Sequence, residues 1–427
     1  MSSDFDGSAW AGGLASVALG DCPDTVTPAS ILARVEALNL DSSGSGKEGP
    51  DEESVGGDGL TEIERRSLAE DLRQLIDDAE ILSLSTSWIE AQWQAVVTGD
   101  WKPLGNAFAA LDFLGSGDAI FIVAPYTVRR KATAIRRWSG VFGEVLPEAR
   151  EQIPLGQMLR DAGIPCSAEV MRIIPFRATG TAGALRGEQG EAFVVPDGWH
   201  FNQEETGPAL NNMSEQSRRF AASQHCIRRI FDEASANRLL QVMTREQERM
   251  RVQYLEYQFH EAGHAAGLGL GAKLQIGLLA TWWHRAVEEW RSDGIEFELA
   301  HRGLPRNEAE ALVKANLCLR LGIDAHREGG LERDQDVGCA LLTLDSLLKS
   351  GIVEVRGSKL HLRDGDLMEA TCHHRASALT LTHQEAGLTY PEGLHRLYGT
   401  VPVSEASRAV FSAHVLEPCV DVFQQLA

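Results

Sequence analysis

The stretch YQFHEAGHAAGLGLG (Tyr257–Gly271) decides the reading of this chain, because it holds His260-Glu261-Ala262-Gly263-His264, an HExxH motif. On a helix, positions i and i+4 lie one turn apart on the same face, so both imidazoles can reach one ion. Glu261 stands beside them, placed to take a proton from a water on the metal without being a ligand itself. No Pro or Gly interrupts residues 249–262, and Val252, Leu255 and Phe259 supply a buried face, so a helix is expected. Ala262, Gly263, Ala265 and Ala266 are small and uncharged, which lets a second helix pack closely. Gly267, Gly269 and Gly271 then end the helix.

A third ligand has to come from a separate element facing the first. After the glycines, LQIGLLATWWHRAVEEWRSDGIEFELAHR (Leu274–Arg302) reads as a second, antiparallel helix. Glu289 and Asp293 are four residues apart on it and share a face. Glu289 is expected to ligate, with Asp293 accepting the second ring N–H of a ligand histidine and so fixing its tautomer. Carboxylates among Trp282, Trp283 and Trp290 would be costly to bury without a cation beside them.

HEAGH followed by a helix with E-x-x-x-D resembles the gluzincin metallopeptidases of the thermolysin type, and EEWRSD resembles the EECRAE motif that follows HELLGH in the dipeptidyl-peptidase III family. The resemblance spans His260–Asp293. It implies that the second acid, Glu289, is the ligand and Glu288 is not. The chain has two residues between Glu261 and His264, where dipeptidyl-peptidase III has three.

Two imidazoles, one carboxylate and an open position suit catalytic zinc. The same three ligands also make the facial triad of non-heme iron oxygenases, so iron is the alternative metal. The leading expectation is a zinc-dependent hydrolase of a peptide or small amide, with Glu261 as general base. The rivals are an iron oxygenase, and a non-catalytic regulatory or interaction protein in which the metal only braces helices. Candidates for an oxyanion donor are His361 and His373, with His284, His301, His374 and Tyr390 behind them.

At 427 residues, with 40 Lys+Arg against 61 Asp+Glu, the chain carries a formal charge of −21. That balance opposes non-specific attraction to nucleic acid or to an anionic membrane, so neither is expected as a partner. The basic cluster Arg129, Arg130, Lys131, Arg136 and Arg137 has a spacing that suits the solvated face of a helix. No run approaches a membrane span, the start is acidic, and the seven cysteines are scattered without a CxxC. A cytoplasmic location is expected.

The fold class expected is α+β and mostly helical. Residues 1–60 read as a disordered acidic segment with a short helix at Ile31–Leu40 and a Gly/Ser/acidic linker from Asp41. A capping box at Thr61 and Glu64 opens the folded part. Residues 61–210 read as a mixed α/β region, with strands at Ala119–Pro125, Val170–Phe176 and Glu191–Pro196. Residues 211–330 form the helical metal-binding core. Residues 331–427 form a small C-terminal α+β domain, in which Cys339–Leu362 reads as a helix and two strands around Arg356–Ser358.

Overall fold

A computed structural model describes residues 27–44, 60–79, 84–100, 103–104, 107, 119–130, 133–146, 153–167, 170, 173–180, 190–195, 209–211, 223–243, 246–327, 330–365, 367–388 and 390–419. The fold is α+β and mostly helical, as expected. Helices α1 (Pro28–Gly44), α2 (Glu62–Asp78) and α3 (Thr86–Thr98) lead into a five-stranded sheet of β1 (Ala119–Arg130), β2 (Thr133–Val145), β3 (Ile174–Gly180), β4 (Gly190–Val195) and β5 (Ala209–Asn211). Helix α4 (Leu155–Asp161) lies between β2 and β3 in the chain.

The sheet order is β1-β2-β3-β4-β5 and every pairing is antiparallel. It is thus a meander, built within the mixed α/β stretch expected for 61–210. The basic cluster lies in the β1–β2 hairpin, where Arg129 pairs with Ala134 and Arg130 with Thr133, so its reading as a helix face is corrected. The β-branched Val128, Thr133 and Ile135 among those arginines favour an extended chain. Lys131 lies outside the described residues, as do residues 181–189.

The capping box forms as expected: the Thr61 side chain accepts from the Glu64 N–H while Glu64 reaches back to the Thr61 N–H. Helix α1 is longer than Ile31–Leu40, and its Ile31 and Val35 are buried in a core shared with α2, α3 and the sheet. The part of this helix that bears Ile31 and Val35 is therefore packed structure within the segment expected to be disordered. The remainder of 1–60, including most of the acidic linker, lies outside the described residues apart from Thr27 and Leu60.

The second core runs from Leu155 to Cys419. A helical stretch over 223–230 and α5 (Glu233–Leu240) precede α6 (Glu246–Ala265). There follow α7 (Leu270–Gln275), α8 (Trp282–Gly303), α9 (Arg306–Gly322) and α10 (Gln335–Lys349). A hairpin of β6 (Val353–Arg356) and β7 (Lys359–Leu362) leads to α11 (Leu367–Ala370), α12 (Cys372–Ala386), α13 (Pro391–Gly399) and α14 (Glu405–Val410). The residues after 330 share this core instead of forming a small unit of their own, because α10 and α12 both pack on α8. Among the described residues no helix is long and apolar enough to cross a membrane.

Helix α8 is the axle of the arrangement. It begins at Trp282, since Gly277 in a left-handed conformation interrupts the run from Leu274, and it continues past Asp293 to Gly303. Two glycines let its neighbours close on it. A Cβ on Gly263 of α6 would stand 2.6 Å from the Ser292 carbonyl oxygen, and a Cβ on Gly294 would stand 2.3 Å from the Ala378 Cβ on α12. Gly263→Ala would gain about 1 kcal/mol of helix propensity. Displacing Ser292 backbone costs more, because a packed core resists added volume by about 1–3 kcal/mol. Gly263→Ala is expected to lower the urea midpoint of the metal-free protein, and an unchanged midpoint would show that the two helices can part freely.

Candidate metal centre

Helix α6 presents His260 and His264 one turn apart, and both are buried along with Glu261. Their rings meet edge-on, with centroids 4.7 Å apart. Across from them α8 offers Glu289. Its Oε2 lies 3.2 Å from His260 Nε2 and its Oε1 lies 3.8 Å from His264 Nε2. Donor atoms of the three residues all fall within 4.8 Å of one another. Ligands about 2.0–2.1 Å from a tetrahedral zinc ion stand roughly 3.3 Å apart, so the trio fits such an ion with little movement.

The other ring nitrogens fix which lone pairs face that point. His260 Nδ1 donates to Asp293 Oδ1 at 2.8 Å, and His264 Nδ1 donates to Glu288 Oε1 at 3.0 Å. A carboxylate only accepts, so in each neutral imidazole the hydrogen sits on Nδ1 and the lone pair on Nε2. Asp293 is where sequence reasoning placed it. The matching role of Glu288 was missed there, although its position next to Glu289 and one turn before Arg291 was the available signal.

The surroundings of these carboxylates differ from the tryptophan-lined setting expected. Trp290 points the other way, stacking on His374 with centroids 4.8 Å apart and donating to Ser346 Oγ at 3.2 Å. A helix turns about 100° per residue, which carries Trp290 off the face of Glu289. Buried cations take its place. Arg320 of α9 grips Asp293 with two bonds of 2.8 Å, reaches Asp324 at 2.9 Å, and stands 3.5 Å from Glu289 Oε2. Glu288 accepts from Lys273 at 2.8 Å, from Arg291 Nη2 at 2.6 Å and from the Tyr398 hydroxyl at 2.6 Å. Glu385 closes that cluster 2.7 Å from Lys273, giving two buried cations against two buried carboxylates.

Titration behaviour follows from these partners. Burial alone would hold the His260 imidazole neutral, but Asp293 and Glu289 raise its pKa well above the usual range. The His260 imidazole is thus drawn toward its protonated form. Burial raises the Glu289 carboxyl, yet His260, His264 and Arg320 outweigh it and bring the pKa down to about 2. Glu296, next on that face, is pushed well up by burial and by Glu256 and Asp293.

A cavity of about 270 Å³ opens on the trio, lined by Glu256, Tyr257, Glu261, Arg320, Arg327 and Asp336 among others. None of the earlier oxyanion candidates lines it. His361 bonds Asp232 at 2.6 Å on β7, and His374 sits in the core with Nε2 2.6 Å from the Trp290 carbonyl. Burial lowers the His374 pKa to about 4. Tyr390 is exposed. Cys372-His373-His374 opens helix α12.

A model for a family described as being of unknown function matches residues 51–326. Comparison of the sequence with curated proteins finds no match. Two solved structures are similar in fold. One is dipeptidyl-peptidase III from Caldithrix abyssi, with a TM-score of 0.54 and 12% identity, covering 85% of this chain and 68% of that one. The other is dipeptidyl-peptidase III from Corallococcus sp. strain EGB, with a TM-score of 0.51 and 15% identity, covering 93% of this chain and 79% of that one. At such identities the likeness concerns the fold.

Asp293→Asn and Glu288→Gln are each expected to weaken zinc binding by about 10–100-fold, since a carboxylate that orients a ligand histidine sets its basicity and its aim. Competition against a chromogenic chelator reads this directly, and parental affinity in both variants would show that neither acid orients its histidine.

Proposed function

The chain belongs to the family of unknown function DUF6014, and we propose that it is a zinc-dependent hydrolase of peptide or amide bonds, of the gluzincin kind. The observation that carries this reading is the convergence of His260 Nε2, His264 Nε2 and Glu289 on one point, beside Glu261 and on the wall of a cavity. The fold supports it, because both similar structures are dipeptidyl-peptidases. The motif itself has thermolysin-type spacing on that fold.

His260, His264 and Glu289 would hold the ion, which when bound supplies Lewis-acid polarisation of a water and of the scissile carbonyl. The protein's own groups do the rest. Glu261 accepts the proton of the attacking water and returns it to the departing amine, a general acid–base role open to a carboxylate on the cavity wall. Asp293 and Glu288 keep both ring hydrogens on Nδ1, so the imidazoles remain ligands. Arg320 holds Asp293 and Asp324 in register with Glu289. Charge growing on the carbonyl oxygen would find Tyr257 and the guanidinium groups of Arg320 and Arg327 on the same wall.

The cavity lies near the lower limit of ordinary ligand sites, about 300–1,000 Å³, which suits a short peptide or small amide. Glu256, Glu261, Glu289, Asp324 and Asp336 on its wall outnumber Arg320 and Arg327, which disfavours polyanions such as nucleic acid.

Protein purified without chelators should contain zinc and cleave short peptide amides, with chelation abolishing turnover. Glu261→Gln is expected to keep zinc content while reducing kcat by about 10²–10⁴-fold. Retained turnover in that variant would overturn the hydrolase, and iron in place of zinc in the elemental analysis would redirect the chemistry to oxygen.

A further inference from the structure

Three chain segments far apart in sequence meet away from the HExxH helix. Cys226 sits in the helical stretch over 223–230, His326 ends the turn Asp324–His326 after α9, and Cys419 ends the turn Glu417–Cys419. One sulfur from each cysteine and a ring nitrogen of His326 lie within 4.8 Å of one another. Both cysteines are fully buried and neither is in a disulfide.

Buried cysteines are by themselves ordinary small core residues. The imidazole sets this trio apart. His326 Nε2 lies 3.2 Å from the Leu321 carbonyl oxygen. A carbonyl only accepts, so Nε2 carries the hydrogen and Nδ1 keeps the lone pair, the state a metal ligand requires.

We propose that Cys226, His326 and Cys419 form a second metal site, for a thiophilic divalent cation such as zinc, with water in the fourth position. Two thiolates cancel the charge of such an ion, so the cluster buries no net charge. Sulfurs about 2.3 Å from a tetrahedral zinc stand roughly 3.8 Å apart, so the trio closes on the ion by about 1 Å at most, within the reach of side-chain rotation.

The ion ties the C-terminal turn and the 223–230 helix to the turn after α9. That turn also bears Asp324, which bonds Arg320 and lines the cavity. The bound cation thereby braces one wall of the first site. It shares no ligand with that site, so the two can be tested apart.

The full chain, purified in reductant without chelator, is expected to hold about two zinc ions, and His264→Ala about one. Cobalt added to chelator-stripped His264→Ala is expected to give the near-ultraviolet charge-transfer band of thiolate ligation. The band should vanish in His264→Ala combined with Cys419→Ser or Cys226→Ser. Cobalt bound without that band, no binding in His264→Ala, or a band that survives both serine variants would overturn the site. Because the cobalt spectrum is taken on a chain with its cysteines intact, a serine variant that fails to fold leaves the first two of these readings decisive. Loss of peptide turnover has no bearing on the spectrum, so failure of one reading is distinguishable from failure of the other.

Discussion

The hydrogen bonds from His260 to Asp293 and from His264 to Glu288 hold the centre together, because they couple the two helices and the chemistry at once. They pin α6 to α8 at the level of Gly263, where backbone meets backbone. They also decide which ring nitrogen faces the cavity. Each acceptor is held ionised by buried guanidinium or ammonium groups, without which a carboxylate at that depth would take up a proton and lose its hold on the ring. Arg320 serves one histidine in this way, while Lys273 and Arg291 serve the other.

The charge arrangement resolves an apparent excess. The stretch Glu288–Glu296 alone carries four acids, all but Glu289 fully buried. Two are paired with buried cations, Glu296 has its pKa pushed up by burial and by its acidic neighbours, and Glu289 is left facing the imidazoles. A positive charge at their meeting point, whether a metal ion or the proton that His260 draws, completes the balance.

The nearness of His260, His264 and Glu289 was legible in the sequence because it needs only one i to i+4 spacing and a neighbouring helix that carries an acid. The α+β, mostly helical class was legible for the same reason. What surrounds the trio was not. Lys273, Arg320, Glu385 and Tyr398 reach it from four different helices, and no local pattern announces such long-range charge pairing. Cys226, His326 and Cys419 escaped for that reason too, since about a hundred residues separate each from the next and no ligand spacing repeats. In the N-terminal half, the arginines around Lys131 suggested a helical face, while the β-branched residues between them determined a hairpin.

Tyr398 and Glu385 carry a consequence for how the molecule is made. His260, His264 and Glu289 lie within about thirty residues of one another, so a nascent chain can bring them together early, at low cost in loop closure. The carboxylate that offsets Lys273 and Arg291, and the hydroxyl that finishes the shell of Glu288, are synthesised about a hundred residues later. Until α12 and α13 dock, the half-built interior holds two ammonium-type charges against one acid. Chain completion, more than ligand proximity, is therefore the step that commits the centre to its final form.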